Sequence, residues 1–263
     1  MEQRNILLTI EYDGSNFCGW QRQPGKRTVQ GELERVLSIL CACEVKLNGT
    51  SRTDAGVHAL GQRASFCGEF GIPTDRIPRA ANNLLAGSMN NMQVGDVRIL
   101  KAEEVAEDFH ARFDAEGKKY IYRINNSGAA DVFRRNYEYF VERPLDLAAM
   151  QKAAEYIVGK HDFACFQAAG GQPRKTTVRT IYSLDIAGAG GFEISVVGDG
   201  FLYNMVRIIT GTLVDVGLGK IEPDALPEII ESRDRQRAGH TAPPQGLYLA
   251  EIYYDGERLA ISS

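Results

Sequence analysis

Residues 177–216 read TVRTIYSLDIAGAGGFEISVVGDGFLYNMVRIITGTLVDV. Two runs rich in β-branched and aromatic residues, Thr177–Ile186 and Phe192–Val197, flank a glycine-containing turn and predict a strand pair. Phe201–Val216 follows, with Leu202, Met205, Ile209 and Val216 as the apolar stripe of a helix. The unit is strand, strand, helix, and it recurs outward from this stretch. Lys118–Ile124 and Tyr137–Val141 read as strands before a helix opened by Pro144 and Asp146 and closed at Gly159. Pro223–Ser232 reads as a further helix and Leu247–Tyr254 as a last strand. In the first half, Ile6, Leu8, Ile10 and Tyr12 alternate as in a half-buried strand, and Thr28 caps a helix bearing Leu33, Val36, Leu37 and Leu40. Strands at Glu44–Leu47 and Arg63–Cys67, joined by the turn Asn48–His58, precede a helix over Asp75–Leu85 and a strand over Gln93–Leu100. Paired strands between single helices predict an α+β fold, with mostly antiparallel sheet carrying helices on one face. Two similar α/β halves, 1–105 and 106–263, fit the length of 263 residues.

Composition narrows the class. A chain 44% hydrophobic and 24% charged is ordinary for a globular protein and excludes disorder, collagen and coiled coil. The net charge of −4 lacks the basic excess of a typical nucleic-acid binder, and alone it points to a small-molecule enzyme. The sum conceals placement. The loop Gln21–Arg27 carries Arg22, Lys26 and Arg27 with no acid, and Lys160–Arg179 carries Lys160, Arg174, Lys175 and Arg179 against Asp162 alone. Such loops either track a phosphate backbone or are solvated surface. Five cysteines without a secretory segment read as reduced thiols of a cytoplasmic protein. The most apolar stretch, Phe201–Leu218, is interrupted by Arg207 and Asp215 and is not expected to span a membrane.

The segment richest in chemistry is Ser51-Arg52-Thr53-Asp54-Ala55-Gly56-Val57-His58-Ala59, which lies between two strands. A turn on a rigid scaffold presents side chains, and Gly56 lets the chain bend or a ligand approach. Arg52, two residues from Asp54, favours an ionised carboxylate, as a nucleophile or general base requires. The same spacing also suits an Asp that caps its own turn. Tyr120 and Tyr122 share one strand face, where they either stack on bases or pack in a core. Tyr203, Arg207 and Gly211 follow at helical spacing, so Arg207 is either a partner for a carboxylate or phosphate or an exposed cation. His58, His110, His161 and His240 show no metal-ligand spacing, and P-loop, dinucleotide and serine-hydrolase motifs are absent from the sequence.

Taken together these segments resemble the tRNA pseudouridine synthase A (TruA) family. The resemblance runs nearly end to end, through Glu11-Tyr12-Asp13-Gly14, Gly19-Trp20-Gln21-Arg22-Gln23, Arg52-Thr53-Asp54-Ala55-Gly56-Val57-His58-Ala59 and Asp108-Phe109-His110-Ala111-Arg112-Phe113. It continues through Lys118-Lys119-Tyr120, Phe201-Leu202-Tyr203-Asn204-Met205-Val206-Arg207 and Gly246-Leu247-Tyr248-Leu249. Ser51 stands where the family often has Gly. The resemblance implies a mixed sheet shared by two similar halves, and isomerisation of uridine to pseudouridine in the anticodon stem-loop of tRNA. It further implies a cytoplasmic homodimer without cofactor, metal or membrane. By the same resemblance Asp54 is the catalytic aspartate, Tyr120 stacks on the target base, Arg207 pairs with Asp54 and Arg52 steadies the flipped nucleotide. His58 and Leu247 join the substrate-binding set, with Arg22, Lys26, Arg27, Lys160, Arg174, Lys175 and Arg179 as tRNA backbone contacts.

The reaction breaks the N1–C1′ bond, turns the uracil and rejoins it through C5, so it rearranges atoms without a redox partner. One carboxylate suffices as nucleophile, at C6 of the base or at the sugar carbon, and a stacked uridine must first be extruded. A non-catalytic RNA-binding module and a metal-dependent hydrolase built on Asp54, His58 and His110 are the competing readings.

Overall fold

The computed structural model describes residues 3–87, 94–171 and 175–254, which form two units. The first comprises the chain up to Glu116 together with the strand from Tyr248, and the second runs from Gly117 to Leu247. The structural division thus lies beyond Val105, and the end of the chain returns to the first unit.

In the first unit, β1 (Gln3–Tyr12) pairs antiparallel with β3 (His58–Glu69) on one side and β4 (Val97–Val105) on the other. Ile6 faces Phe66 and Leu8 faces Ala64 in this register, and all four are fully buried. The short β2 (Asn48–Gly49) also lies antiparallel to β3. On the far side of β3, β10 (Leu247–Tyr254) runs parallel to it, with Tyr248 opposite His58. Helix α1 (Val29–Cys41) begins where Thr28 accepts a hydrogen bond from the Gly31 amide (3.3 Å), and it buries Leu33, Val36 and Leu37. Helix α2 (Ile77–Leu85) opens after a 3-10 turn at Thr74–Arg76 and packs against α1 and β4.

The expected strand Glu44–Leu47 does not form. Its amides are taken by side chains of α1 instead: Val45 donates to Ser38 Oγ (2.9 Å) and Leu47 to the buried Glu34 carboxylate (3.0 Å). The strand expected to open at Gln93 begins at Val97, and Gln93 itself lies outside the described residues.

In the second unit, β5 (Ala115–Asn125), β9 (Gly191–Gly198), β8 (Val178–Ala187) and β7 (Gly159–Asp162) pair in that order, all antiparallel. β6 (Tyr139–Phe140) runs parallel to β5 and is all that forms of the strand expected over Tyr137–Val141. Helix α3 (Leu147–Glu155), capped by Asp146 through the Ala149 amide (3.0 Å), packs on β8 and on α4 (Met205–Gly217). It stops before Gly159, which takes φ 115° and starts β7. α4 is buried on all sides except around Arg207, as expected of a helix apolar all round. It begins four residues later than expected, because Asn204 takes a left-handed φ of 58° and ends the non-helical segment Phe201–Asn204. Helix α5 (Leu226–Ser232) follows a 3-10 turn at Pro223–Ala225. Both units mix parallel and antiparallel pairs with few helices, so the fold class is α+β as expected. Among the described residues no helix is long and apolar enough to cross a membrane.

Candidate active site

The turn from Ser51 to His58 is fixed at both ends and along its back. Ser51 exchanges two hydrogen bonds with the buried Gln62 side chain, accepting from Nε2 (2.7 Å) and donating to Oε1 (3.2 Å). Thr53 is held twice: its Oγ1 meets the Tyr12 hydroxyl at 2.6 Å, and its carbonyl accepts from the Trp20 amide at 3.0 Å. The Val57 amide donates to the Asp54 carbonyl (3.1 Å), closing a tight turn in which Gly56 supplies φ 78°. His58 is buried with its ring stacked on Tyr248 (centroids 4.8 Å apart), and its Nδ1 accepts from the Gly14 amide at 3.1 Å. Side chains along the turn therefore divide between inward and outward. Thr53, Val57 and His58 are anchored inward, Arg52 and Ala55 are exposed, and Asp54 is half-buried between them.

Two glycines of the preceding motif let the turn sit this close. A Cβ on Gly14 would lie 2.0 Å from the Val57 oxygen, and one on Gly19 would lie 2.7 Å from the Thr53 oxygen. Trp20 is fully buried beside them, and Gly49 leaves space for its indole. Sequence reasoning did not predict this support. Its signal was the pair of glycines in Asp13-Gly14 and Gly19-Trp20, whose partner in space is invisible from spacing alone.

Tyr120, Arg207 and Leu247 belong to the second unit. Tyr120 and Tyr122 do share one face of β5, and both are buried. Tyr120 meets Phe201 edge-on with centroids 5.1 Å apart. Tyr122 donates its hydroxyl to the Pro243 carbonyl (2.7 Å), and burial raises its pKa despite the opposing Arg207 charge. Arg207 is neither a loose surface cation nor beside Tyr203 on one helix face, since Tyr203 precedes α4. Its Nε donates to the Ala242 carbonyl (2.7 Å) and its Nη1 to Asn204 Oδ1 (2.9 Å). The room left by Gly211 is filled by backbone: a Cβ there would fall 1.8 Å from the His240 oxygen. Leu247 is buried at the start of β10, just after Gly246, whose own Cβ would strike the Tyr122 ring.

The basic loops are less bare than the sequence suggests. Arg27 pairs with Glu32 and Asp96 at 2.6 Å each and lies over the Phe17 ring, and Arg22 Nη1 lies 3.3 Å from Glu34. Lys26, Lys160 and Lys175 are exposed, Arg179 is half-buried, and Arg174 lies outside the described residues. Among the described residues no group of three His, Cys, Asp or Glu side chains is arranged to hold a metal ion.

The profile of the family described as tRNA pseudouridine synthase matches residues 8–114 and 153–255. The chain belongs to the tRNA pseudouridine synthase family. Among relatives named tRNA pseudouridine synthase A, that of Acetivibrio thermocellus is 49% identical and that of Ruminiclostridium cellulolyticum 50%, each over 95% of this chain and 100% of the relative. The relative from Caldicellulosiruptor bescii is 46% identical over the same shares. Among solved structures, a chain of a Cbf5-Nop10-Gar1 complex overlaps 79% of this chain and 54% of its own, with TM-score 0.33 and 12% identity. As a tRNA pseudouridine synthase the protein is an isomerase that acts on tRNA, and its α+β architecture is the pseudouridine synthase fold.

Proposed function

We propose that this tRNA pseudouridine synthase isomerises neighbouring uridines of the anticodon stem-loop, with Asp54 as its nucleophile. The observation that carries the assignment is the anchoring of Ser51–His58. A carboxylate that must meet a reacting carbon needs a backbone that does not yield, and Thr53 and His58 hold it on both sides. In this reading Tyr120 stacks on the extruded uracil and assists loss of the C5 proton, Arg207 pairs with the Asp54 carboxylate, and the exposed Arg52 steadies the flipped nucleotide. His58 and Leu247 complete the substrate-binding set. The isomerisation leaves the nucleoside's composition and oxidation state unchanged, exchanging only the C5 proton for one at N1, so the protein's own groups can carry it without a cofactor. Halves 1–105 and 106–263 bring the nucleophile and the stacking tyrosine respectively, and the enzyme works as a cytoplasmic homodimer.

Lys26, Lys160, Lys175 and Arg179 supply backbone contacts, with Arg22 and Arg27 exchanging their carboxylate partners for phosphate. Arg174 is assigned to the same set on its sequence position. Asp54→Asn, close in shape to the native residue and without its charge, tests the assignment by tritium release from tRNA labelled at uridine C5. Loss of release with an unchanged melting temperature is expected, and full release by the variant would sink the nucleophile assignment. Mapping the modified positions in tRNA from cells lacking the gene tests the anticodon assignment, and light scattering of the pure protein tests the dimer.

A further inference from the structure

The segment Gly239–Pro243 has neither helical nor sheet structure, yet its backbone is bonded at nearly every residue. The Gly239 amide donates to Thr212 Oγ1 (2.9 Å), and the Gly239 carbonyl accepts from Arg235 Nη1 (2.9 Å). The His240 amide donates to Asp215 Oδ2 (3.2 Å), and the His240 ring meets the same oxygen through Nδ1 at 3.0 Å. Ala242 is bonded through both its amide and its carbonyl to Arg207, and Pro243 accepts from Tyr122. Arg207, Gly211 and Asp215 lie one turn apart on α4 and form a lane for this strap: Arg207 grips one end, Gly211 admits its backbone, and Asp215 grips the other.

Asp215 is the sole acid in α4, and Lys220 Nζ at 2.8 Å occupies its second oxygen. A carboxylate in so apolar a helix is costly unless fully bonded, and among the described residues its side-chain partners are the strap and Lys220. The strap in turn supplies the carbonyl that orients the Arg207 guanidinium. A planar guanidinium fixed through Nε keeps its remaining donors in one direction, which matters where it must meet a carboxylate.

We infer that Asp215 is a positioning residue for Arg207, acting through the strap Gly239–Pro243 to fix the direction of the guanidinium. The inference rests on the proposed role of Arg207. Removing the charge at Asp215 releases the His240 end of the strap, so Ala242 O no longer holds Nε in register. The effect falls on the chemical step and not on tRNA binding.

The test compares Asp215→Asn, Asp215→Glu, Arg207→Lys and the double variant Asp215→Asn/Arg207→Lys by tritium release, with melting temperatures measured in parallel. Arg207→Lys is expected to lower kcat. Asp215→Asn is expected to lower kcat about tenfold, by displacement of a catalytic group, with KM for tRNA changed less than about twofold. Asp215→Glu should restore most of that loss. In the Arg207→Lys background, Asp215→Asn should cost less than about twofold more, because coupled residues do not add. Multiplicative losses in the double variant, or a rise in KM with kcat unchanged, would overturn the inference and leave Asp215 a stability residue. The two readings fail separately. Full turnover by Asp54→Asn or Arg207→Lys overturns the proposed function, whereas full turnover by Asp215→Asn beside an inactive Asp54→Asn overturns only the positioning role.

Discussion

Gly19 and Gly25 offer a matched pair for asking whether the turn that carries Asp54 must be held in place. Both take left-handed backbone, at φ 87° and 67°, so an alanine at either position costs about 1–2 kcal/mol of backbone strain. They differ in surroundings. Nothing lies within 4 Å of a Cβ on Gly25, whereas a Cβ on Gly19 falls 2.7 Å from the Thr53 oxygen and 3.3 Å from the Ala55 nitrogen. To restore ordinary contact the Thr53–Ala55 backbone must retreat by about 0.7 Å, which also stretches the bond from the Trp20 amide to the Thr53 carbonyl. Displacement of a reacting group by about 1 Å costs up to about a hundredfold in rate. Gly19→Ala should therefore lose about ten- to a hundredfold in single-turnover tritium release, at a temperature well below the melting of either variant, while Gly25→Ala keeps the native rate. Equal rates for the two alanine variants would refute the claim that the turn is positioned by close approach at Gly19.

Binding of tRNA should weaken steeply with salt, and Lys26→Ala should reduce the slope of log K against log salt by about one; a flat salt response in the parent protein would contradict the backbone contacts. Arg27→Ala should change that slope less, because Glu32 and Asp96 already neutralise its charge in the folded protein. Tyr122→Phe strands the Pro243 carbonyl and should lower unfolding free energy by about 1–3 kcal/mol in urea titration; an unshifted midpoint would show that the bond contributes nothing. For Asp215, burial opposes ionisation, but the bonds from Lys220 and His240 prevail and hold its pKa below the ordinary value. Its contribution to stability is thus present at neutral pH and is lost on acidification through the carboxylate range, so Asp215→Asn should flatten the acid limb of melting temperature against pH.

The parts of the fold legible in the sequence were those set by local pattern. Thr28 and Asp146 cap the helices assigned to them, and Leu247–Tyr254 forms a strand with the expected bounds. Failures came where a distant group overrode the pattern. Glu44–Leu47 alternates like a strand, but the Glu34 carboxylate and the Ser38 hydroxyl occupy amides a ladder would need. Phe201–Asn204 continues the helical period of α4, yet Asn204 breaks it with a left-handed φ that no periodicity reveals. Gly159–Asp162 has little strand character and becomes β7 only by pairing with β8. At the candidate site, the motif around Asp54 was readable, but its support was not. Gly14 and Gly19 serve the turn through contacts that are far apart in sequence, and in the sequence Asp215 is only an interruption of an apolar run. Likewise, the acid-free loop Gln21–Arg27 finds its counter-charges at Glu32, Glu34 and Asp96.

The parallel pairing of β10 with β3 has a consequence for the order in which the protein is made. The turn bearing Asp54 leaves the ribosome early, but the ring that stacks on His58 comes from Tyr248. The hydroxyl that meets Thr50 Oγ1 and donates to the Ala111 carbonyl comes from Tyr254. A nascent chain that has emerged only as far as β5 holds β1, β2, β3 and β4 but lacks the partner of β3 at His58 and Ala59, which the last strand supplies. Synthesis of the turn that carries Asp54 and completion of its packing are thereby separated in time, and a chain released early carries that turn without its seal.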